Sequence, residues 1–141
     1  MNQSTIDGIS NERATASGAR VLIVDDEPAI SDLLFEMLEM LGYSPTKTES
    51  PQEALELLAQ QEFDVILSDF RMPLMNGDVF FRHAIGRDAS LKARFVFLTG
   101  DSVSEGTHRF LTEHGCRHLC KPFDIASVEQ VISEVVSEHA H

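Results

Sequence analysis

Residues 63–77 read FDVILSDFRMPLMNG, a stretch that begins as a buried strand and stops on a carboxylate. The run over 64–68 is mostly apolar and β-branched, which is typical of a strand buried on both faces of a parallel sheet. Asp69 lies where that strand should end, and a helical pattern follows over 77–87. The stretch therefore predicts a strand, a carboxylate at its carboxyl end, and then a helix.

The same alternation of strand and helix continues on both sides of this stretch. Apolar runs predict strands over 21–24, 94–99 and 117–120, and a weaker, polar strand covers 43–48. Helical spacing predicts four more helices, over 28–41, after the capping box at 50–53, over 102–114 and over 124–138. Five strands alternating with five helices predict an α/β fold with a doubly wound parallel sheet.

The N-terminal segment differs from the rest of the chain. Residues 1–19, MNQSTIDGISNERATASGA, are small and polar without a sustained apolar period, so we predict a flexible tail or linker there. The remaining residues, 20–139, form one predicted domain. A chain of 141 residues most simply contains a single domain.

The formal net charge of −12 limits the partners that this chain can bind. Nucleic acids and anionic membranes attract clusters of Lys and Arg, so we expect no direct nucleic-acid binding. No apolar run approaches the roughly 20 residues that a membrane span needs, so we expect no membrane insertion. The acidic balance suits a site that collects cations, or simply a solvated acidic surface.

The two cysteines indicate a reducing compartment. Cys116 and Cys120, if both lie in one strand, have Cα atoms roughly 13 Å apart, which is too far for a disulfide. We therefore expect free thiols and a cytoplasmic location, with Cys120 packed as a small core residue. The alternation of His114, Cys116, His118 and Cys120 does not predict zinc, because residues on one face of a strand are ~6.6 Å apart.

Polar side chains follow the carboxyl ends of four predicted strands, where ligands bind in doubly wound sheets. Packed carboxylates repel one another unless a cation neutralises them, and carboxylate oxygens favour Mg²⁺, with Mn²⁺ as an alternative. A lysine and a hydroxyl suit phosphate oxygens, and an aspartate can form a covalent phosphoryl intermediate. The pattern thus predicts a phosphoryl-transfer site built from Asp25, Asp26, Glu27, Asp69, Thr99 and Lys121.

Four motifs together resemble the receiver domain of response regulators in two-component phosphorelay signalling. They are VLIVDDE (21–27), LSDFRMPLMNG (67–77), FLTG (97–100) and CKPF (120–123), and the resemblance covers roughly residues 20–138. It implies a flavodoxin-like strand order of 2-1-3-4-5. The sequences TGD (99–101) and KPFD (121–124) also resemble those of receivers at the C-terminus of hybrid histidine kinases.

The resemblance implies a role for each matching residue. Asp69 is the implied phosphoacceptor, and the donor is a phosphohistidine on a histidine kinase or a histidine phosphotransfer protein. Asp25, Asp26, Asp69 and the backbone carbonyl of Arg71 are the implied ligands of Mg²⁺. Lys121, followed by a cis Pro122, and Thr99 are implied to contact the phosphoryl group. The fourth helix, fifth strand and fifth helix are the implied signalling face.

Two features depart from the family pattern. The switch position three residues before Lys121, aromatic in the family, is His118, which leaves the usual coupling to Thr99 in doubt. Arg71 and Asp101 occupy the positions that tune dephosphorylation in the family. Their pairing could shield the acyl phosphate and slow its hydrolysis, or it could be a solvated ion pair of little consequence.

Three functions remain open from the sequence. The first is a signalling phosphoacceptor, which is not an enzyme acting on external substrates and is a monomer or a phosphorylation-dependent homodimer. The second is an unphosphorylated receiver-like scaffold that docks or dimerises. The third is a metal-dependent phosphohydrolase that uses Asp69, which ranks last because no further substrate pocket is evident. The sequence names neither the kinase nor the downstream effector.

Overall fold

A five-stranded parallel sheet forms the centre of the protein, seen in a computed structural model that describes residues 18–72, 75–100 and 104–139. Its order is β2-β1-β3-β4-β5, which confirms the predicted doubly wound α/β fold with order 2-1-3-4-5. Every neighbouring pair of strands is parallel. The strands are β1 (Arg20–Val24), β2 (Ser44–Thr48), β3 (Val65–Asp69), β4 (Phe95–Thr99) and β5 (Arg117–Cys120).

Five α-helices connect the strands, as predicted, and one 3₁₀ helix was not predicted. The short segment Ala89–Arg94 forms this 3₁₀ helix, and the side chain of Arg94 donates a hydrogen bond to the carbonyl of Phe63. The predicted fourth strand therefore begins one residue later, at Phe95. The α-helices are α1 (Pro28–Met40), α2 (Pro51–Gln60), α3 (Gly77–Arg87), α4 (Glu105–His114) and α5 (Ile125–His139).

The capping box before α2 forms only in part. The hydroxyl of Ser50 accepts a hydrogen bond from the N–H of Glu53 at 3.1 Å, as the sequence predicts. The carboxylate of Glu53 does not return to the N–H of Ser50, because it accepts a hydrogen bond from the hydroxyl of Thr48 instead. The N–H of Ser50 donates to that same hydroxyl. Thr48 thus replaces half of the reciprocal cap.

The two faces of the sheet bury different kinds of side chain. The face covered by α1 and α5 is aliphatic, whereas the face covered by α2, α3 and α4 is rich in phenylalanine. The alternation is visible within β4, where Phe95 and Phe97 point to one face and Val96 and Leu98 to the other. The buried phenylalanines are Phe63, Phe80, Phe81, Phe95, Phe97 and Phe110.

The remaining predictions about the chain have mixed outcomes. Cys116 and Cys120 are free, as predicted, but Cys120 is exposed and Leu119 takes the buried position on β5. None of the helices in the described ranges is long and apolar enough to cross a membrane. The proposed tail over 1–19 falls almost wholly outside the described residues, and β1 begins at Arg20.

Candidate functional site

The parallel register brings the polar strand ends to one edge of the sheet. Val24 on β1 is paired with Ser68 on β3, so Asp25 and Asp69 are the next residues on two adjacent strands. Thr99 ends β4 and pairs with Cys120, and Lys121 follows directly. The N–H of Lys121 donates to the carbonyl of Thr99 at 2.7 Å. Four of the predicted site residues thus meet because their strands end together.

The turn after Asp69 depends on a glycine. The N–H of Gly77, the first residue of α3, donates to the carbonyl of Phe70 at 2.7 Å. A Cβ atom at position 77 would lie 2.8 Å from the carbonyl oxygen of Asp69 and 2.9 Å from the Cα of Phe70, closer than real Cβ atoms come. Gly77 therefore allows α3 to begin directly against the end of β3.

The ammonium group of Lys121 lies among three carboxylates. Its Nζ atom is 3.3 Å from Oε1 of Glu27, 3.5 Å from Oδ2 of Asp69 and 3.9 Å from Oδ2 of Asp25. The peptide bond between Lys121 and Pro122 is cis, as the resemblance implied. One cation therefore faces three anions, an excess of negative charge that a metal cation would balance.

Backbone N–H groups hold the two buried carboxylates in place. Asp25 Oδ1 accepts from the N–H of Glu27 at 2.9 Å, and Asp69 Oδ1 accepts from the N–H of Arg71 at 3.3 Å. Within the described residues, Asp25 Oδ2 and Thr99 Oγ1 are buried without a hydrogen-bond partner. Buried polar atoms are rarely left unpaired, so these two atoms indicate a site arranged for a ligand.

Burial changes the acid–base properties of the site. It raises the pKa of Asp25 to about 6, with the charges of Asp69 and Glu27 adding to the effect. Burial also raises the pKa of Asp69, although Lys121 opposes that shift. Burial lowers the pKa of Lys121, but the charges of Asp69, Asp25 and Glu27 outweigh it and the net pKa is raised. Lys121 is therefore a cation at neutral pH.

Glu27, Asp69, Thr99 and Lys121 border a cleft of about 410 Å³. Its walls also include Asp26, Phe70 and Arg71, together with residues at the start of α4. Asp69 is 7% exposed and Thr99 is 4% exposed, so both reach solvent only through this opening. The cleft is large enough for a phosphoryl group and a hydrated cation to approach the carboxylates.

The carboxylates that could share a metal ion differ from the predicted set. Within the described residues, the ligand atoms of Asp25, Glu27 and Asp69 lie within 4.8 Å of one another. Asp26 lies on the wall of the cleft and is not part of this group. Glu27 was predicted to lie at the site, but it was not among the implied metal ligands. Glu27 belongs to the acidic triplet DDE at the end of β1. The alternation of side-chain directions along a strand no longer applies there, so the sequence does not show which of the three carboxylates point into the site.

The remaining predicted site residues lie farther out. The side chain of Arg71 is exposed, and its backbone N–H contacts Asp69. His118, at the predicted switch position, is exposed on β5. Asp101 lies outside the described residues, so its pairing with Arg71 stays a prediction. Phe70, the residue after β3, makes an aromatic contact with α4. Its ring centroid is 5.4 Å from that of Phe110.

Known proteins share this sequence and this architecture. Residues 21–133 match the family model described as the response regulator receiver domain. The two-component response regulator ARR2 of Arabidopsis thaliana is 29% identical over 96% of this chain, which spans only 20% of that relative's length. The "Probable chemotaxis protein CheY" of Rhizobium etli is 29% identical over 85% of this chain and 94% of its own.

Two solved structures have the same fold. The chemotaxis protein CheY4 of Vibrio cholerae superimposes with a TM-score of 0.75 at 28% identity, covering 84% of this chain and 98% of its own. The receiver domain of a sensor histidine kinase from Pseudomonas aeruginosa, solved with magnesium in its active-site cleft, gives a TM-score of 0.76 at 25% identity. The match covers 85% of this chain and 98% of that structure's chain. The family model matches most of the length of this chain, so the chain belongs to the response regulator receiver domain family.

Proposed function

We propose that this protein is a signalling phosphoacceptor that receives a phosphoryl group on Asp69. The donor is a phosphohistidine on a histidine kinase or a histidine phosphotransfer protein in the cytoplasm. The observation that supports this most is the position of Asp69: its carboxylate opens to the cleft 3.5 Å from the Lys121 ammonium. Thr99, whose hydroxyl has no hydrogen-bond partner among the described residues, borders the same cleft. The domain that carries this function comprises residues 20–139.

The acidic cluster fits a hard divalent cation such as Mg²⁺. Asp25 Oδ2 is buried without a hydrogen-bond partner in the part of the chain that the structure describes, and the cluster offers carboxylate oxygens, which Mg²⁺ prefers. Asp25, Asp26, Asp69 and the backbone carbonyl of Arg71 would hold the ion, directly or through water, and Glu27 belongs to the same acidic cluster. Bound Mg²⁺ would neutralise negative charge on the carboxylates and on the transferring phosphoryl group.

The transfer itself needs only one nucleophile. A carboxylate oxygen of Asp69 attacks the phosphorus atom, an O–P bond forms as the N–P bond of the donor breaks, and the electron pair leaves on the imidazole nitrogen. Lys121 stabilises charge on one phosphoryl oxygen, and Thr99 donates its hydroxyl hydrogen to another. Catalysis is thus mostly positioning and electrostatics, supplied by groups that the strand ends already hold together.

The acyl phosphate on Asp69 would carry roughly −1.5 to −2 charges, against −1 for the free carboxylate, and it adds phosphoryl oxygens as hydrogen-bond acceptors. Thr99 and Lys121 bind a phosphoryl oxygen better than they bind the free carboxylate, and this difference can shift a conformational equilibrium. Thr99 ends β4 and precedes α4 in the chain, whereas Lys121 follows β5 and precedes α5. We therefore propose the surface formed by α4, β5 and α5 as the face that changes its partner, with His118 as its switch residue.

The proposal is tested by incubating the protein with acetyl phosphate and taking intact masses over time, with Mg²⁺ present or chelated. The wild type should gain the mass of one phosphoryl group when Mg²⁺ is present and not when it is chelated. Asp69→Asn should gain none under either condition. Subsequent loss of that mass reports the hydrolysis rate, which Asp101→Ala would change if it pairs with Arg71. Equal gain in wild type and Asp69→Asn would contradict the assignment. No gain from acetyl phosphate or from a phosphorylated histidine phosphotransfer protein would favour the docking scaffold.

A further inference from the structure

The three carboxylates around Lys121 are not equivalent. Glu27 is the nearest, at 3.3 Å, and its side chain is 60% exposed. The side chains of Asp69 and Asp25 are 10% and 0% exposed. The two aspartates are therefore fixed in the floor of the site, whereas Glu27 reaches the lysine from the solvent side.

Backbone hydrogen bonds fix the main-chain positions of Glu27 and Lys121. The carbonyl of Glu27 accepts from the N–H groups of Ile30 and Ser31, both at 3.1 Å, which makes this residue the entry to α1. Its N–H donates to Asp25. Lys121 is tied to Thr99 through its own N–H. The contact between the two side chains thus joins a position just after β1 to one just after β5, two strands that lie on opposite sides of β3.

The same ammonium has a second task in the proposed reaction. In that reaction Lys121 also contacts an oxygen of the phosphoryl group on Asp69, so its ammonium is shared between that oxygen and the carboxylate of Glu27. Asp25 and Asp69 cannot retain Lys121 in the same way, because one lies farther away and the other carries the phosphoryl group. Glu27 is therefore the group that competes for the lysine.

We infer that Glu27 is a positioning residue that retains Lys121 in the unphosphorylated protein and so weakens binding of a phosphoryl group at Asp69. The inference rests on the proposed phosphoacceptor function and adds a restraint to it. An exposed ion pair of this kind contributes little, so its removal should tighten binding only about two- to fivefold. Such a restraint would favour a donor that is held against the protein over a small phosphate ester in solution.

Beryllofluoride, which binds a carboxylate in the geometry of a phosphoryl group, provides a test without catalysis. Its affinity is measured by ¹⁹F NMR for wild type and Glu27→Gln, at a Mg²⁺ concentration shown separately to saturate each protein. We expect about two- to fivefold tighter binding by Glu27→Gln. Glu49→Gln is the matched control, since Glu49 follows β2 at the same edge and makes no ion pair within the described residues. It should bind like the wild type.

A second pair of variants separates retention of Lys121 from simple charge repulsion. In a Lys121→Met background, replacing Glu27 should lose most of its effect, because there is no ammonium left to retain. Unchanged or weaker binding by Glu27→Gln, an equal gain from Glu49→Gln, or a gain that persists without Lys121 would each overturn the inference. Failure of the wild type to bind beryllofluoride with Mg²⁺ would instead overturn the proposed function.

Discussion

The interior of the sheet and its carboxyl edge contrast in how they treat polar groups. Between the two helical layers, the buried side chains of the central strands are apolar up to the last residues. At the carboxyl edge lie all six buried polar residues of the described chain: Asp25, Ser31, Thr48, Ser68, Asp69 and Thr99. The interior is arranged for stability, whereas the edge retains unpaired and like-charged groups that favour binding over stability.

The sharpest test of this contrast removes a large side chain from the interior. Phe81 is fully buried, and its ring contacts those of Phe95, Phe97 and Phe110. We expect Phe81→Ala to lower the free energy of unfolding by about 3–5 kcal/mol. Ile132→Val on the aliphatic face should lower it by about 0.5–1.5 kcal/mol. Urea unfolding measures both, and equal losses would mean that the aromatic face carries no greater share of the stability.

At the carboxyl edge, removing a charge should have the opposite sign. Burial raises the pKa of Asp25 from 3.8 to about 6, so its ionised form destabilises the folded protein. Without metal, wild-type stability should fall as pH rises from about 4 through about 6. Asp25→Asn lacks this loss and should be more stable at pH 7.5 by up to about 3 kcal/mol.

Chemical unfolding in EDTA across pH 3.5–7.5 compares the two proteins, and groups that titrate in both and lie far from Asp25 cancel in the difference. Added Mg²⁺ should stabilise the wild type and leave Asp25→Asn nearly unchanged. A variant that is less stable than the wild type at pH 7.5 in EDTA would show that the edge is not under electrostatic strain.

The boundary between the two regions can be probed with a pair of glycines on α3. A Cβ at position 77 would lie 2.8 Å from the carbonyl oxygen of Asp69, whereas a Cβ at Gly86 meets nothing within 4 Å. We expect Gly77→Ala to destabilise the protein by about 1–3 kcal/mol and to slow phosphorylation, because the end of β3 must move. Gly86→Ala should stabilise it by about 0.5–1 kcal/mol without changing phosphorylation. Thermal unfolding would contradict this if the two variants moved together.

The interior could be predicted almost completely from the sequence. Continuous apolar runs identified the buried strands, and helical spacing identified the α-helices, because burial imposes these periods directly. The 3₁₀ helix over Ala89–Arg94 escaped prediction because six residues are too few to show a period. The start of α4 at Glu105, three residues after the predicted start, follows from the cap that Ser104 provides to the N–H of Thr107.

The edge was predicted less completely, for a physical reason. Strand alternation decides which side chains point inward, but this rule lapses after Val24, where β1 ends. The sequence therefore brought the DDE triplet to the site without showing that Glu27, rather than Asp26, groups with Asp25 and Asp69. Similarly, competition by the Thr48 hydroxyl for Glu53 depends on the tertiary arrangement of β2 and α2. Residue types were predictable there, and their partners were not.

The most direct test of the account locates the phosphoryl group on the chain. The protein is phosphorylated with acetyl phosphate and Mg²⁺, the acyl phosphate is reduced with borohydride, and the product is digested and sequenced by mass spectrometry. The account predicts homoserine at position 69 in Mg²⁺-treated wild type, and unmodified aspartates at positions 25 and 26. Homoserine at either of those positions instead, or a stable phosphoryl group elsewhere with position 69 unmodified, would contradict the claim that β3 ends on the phosphoacceptor.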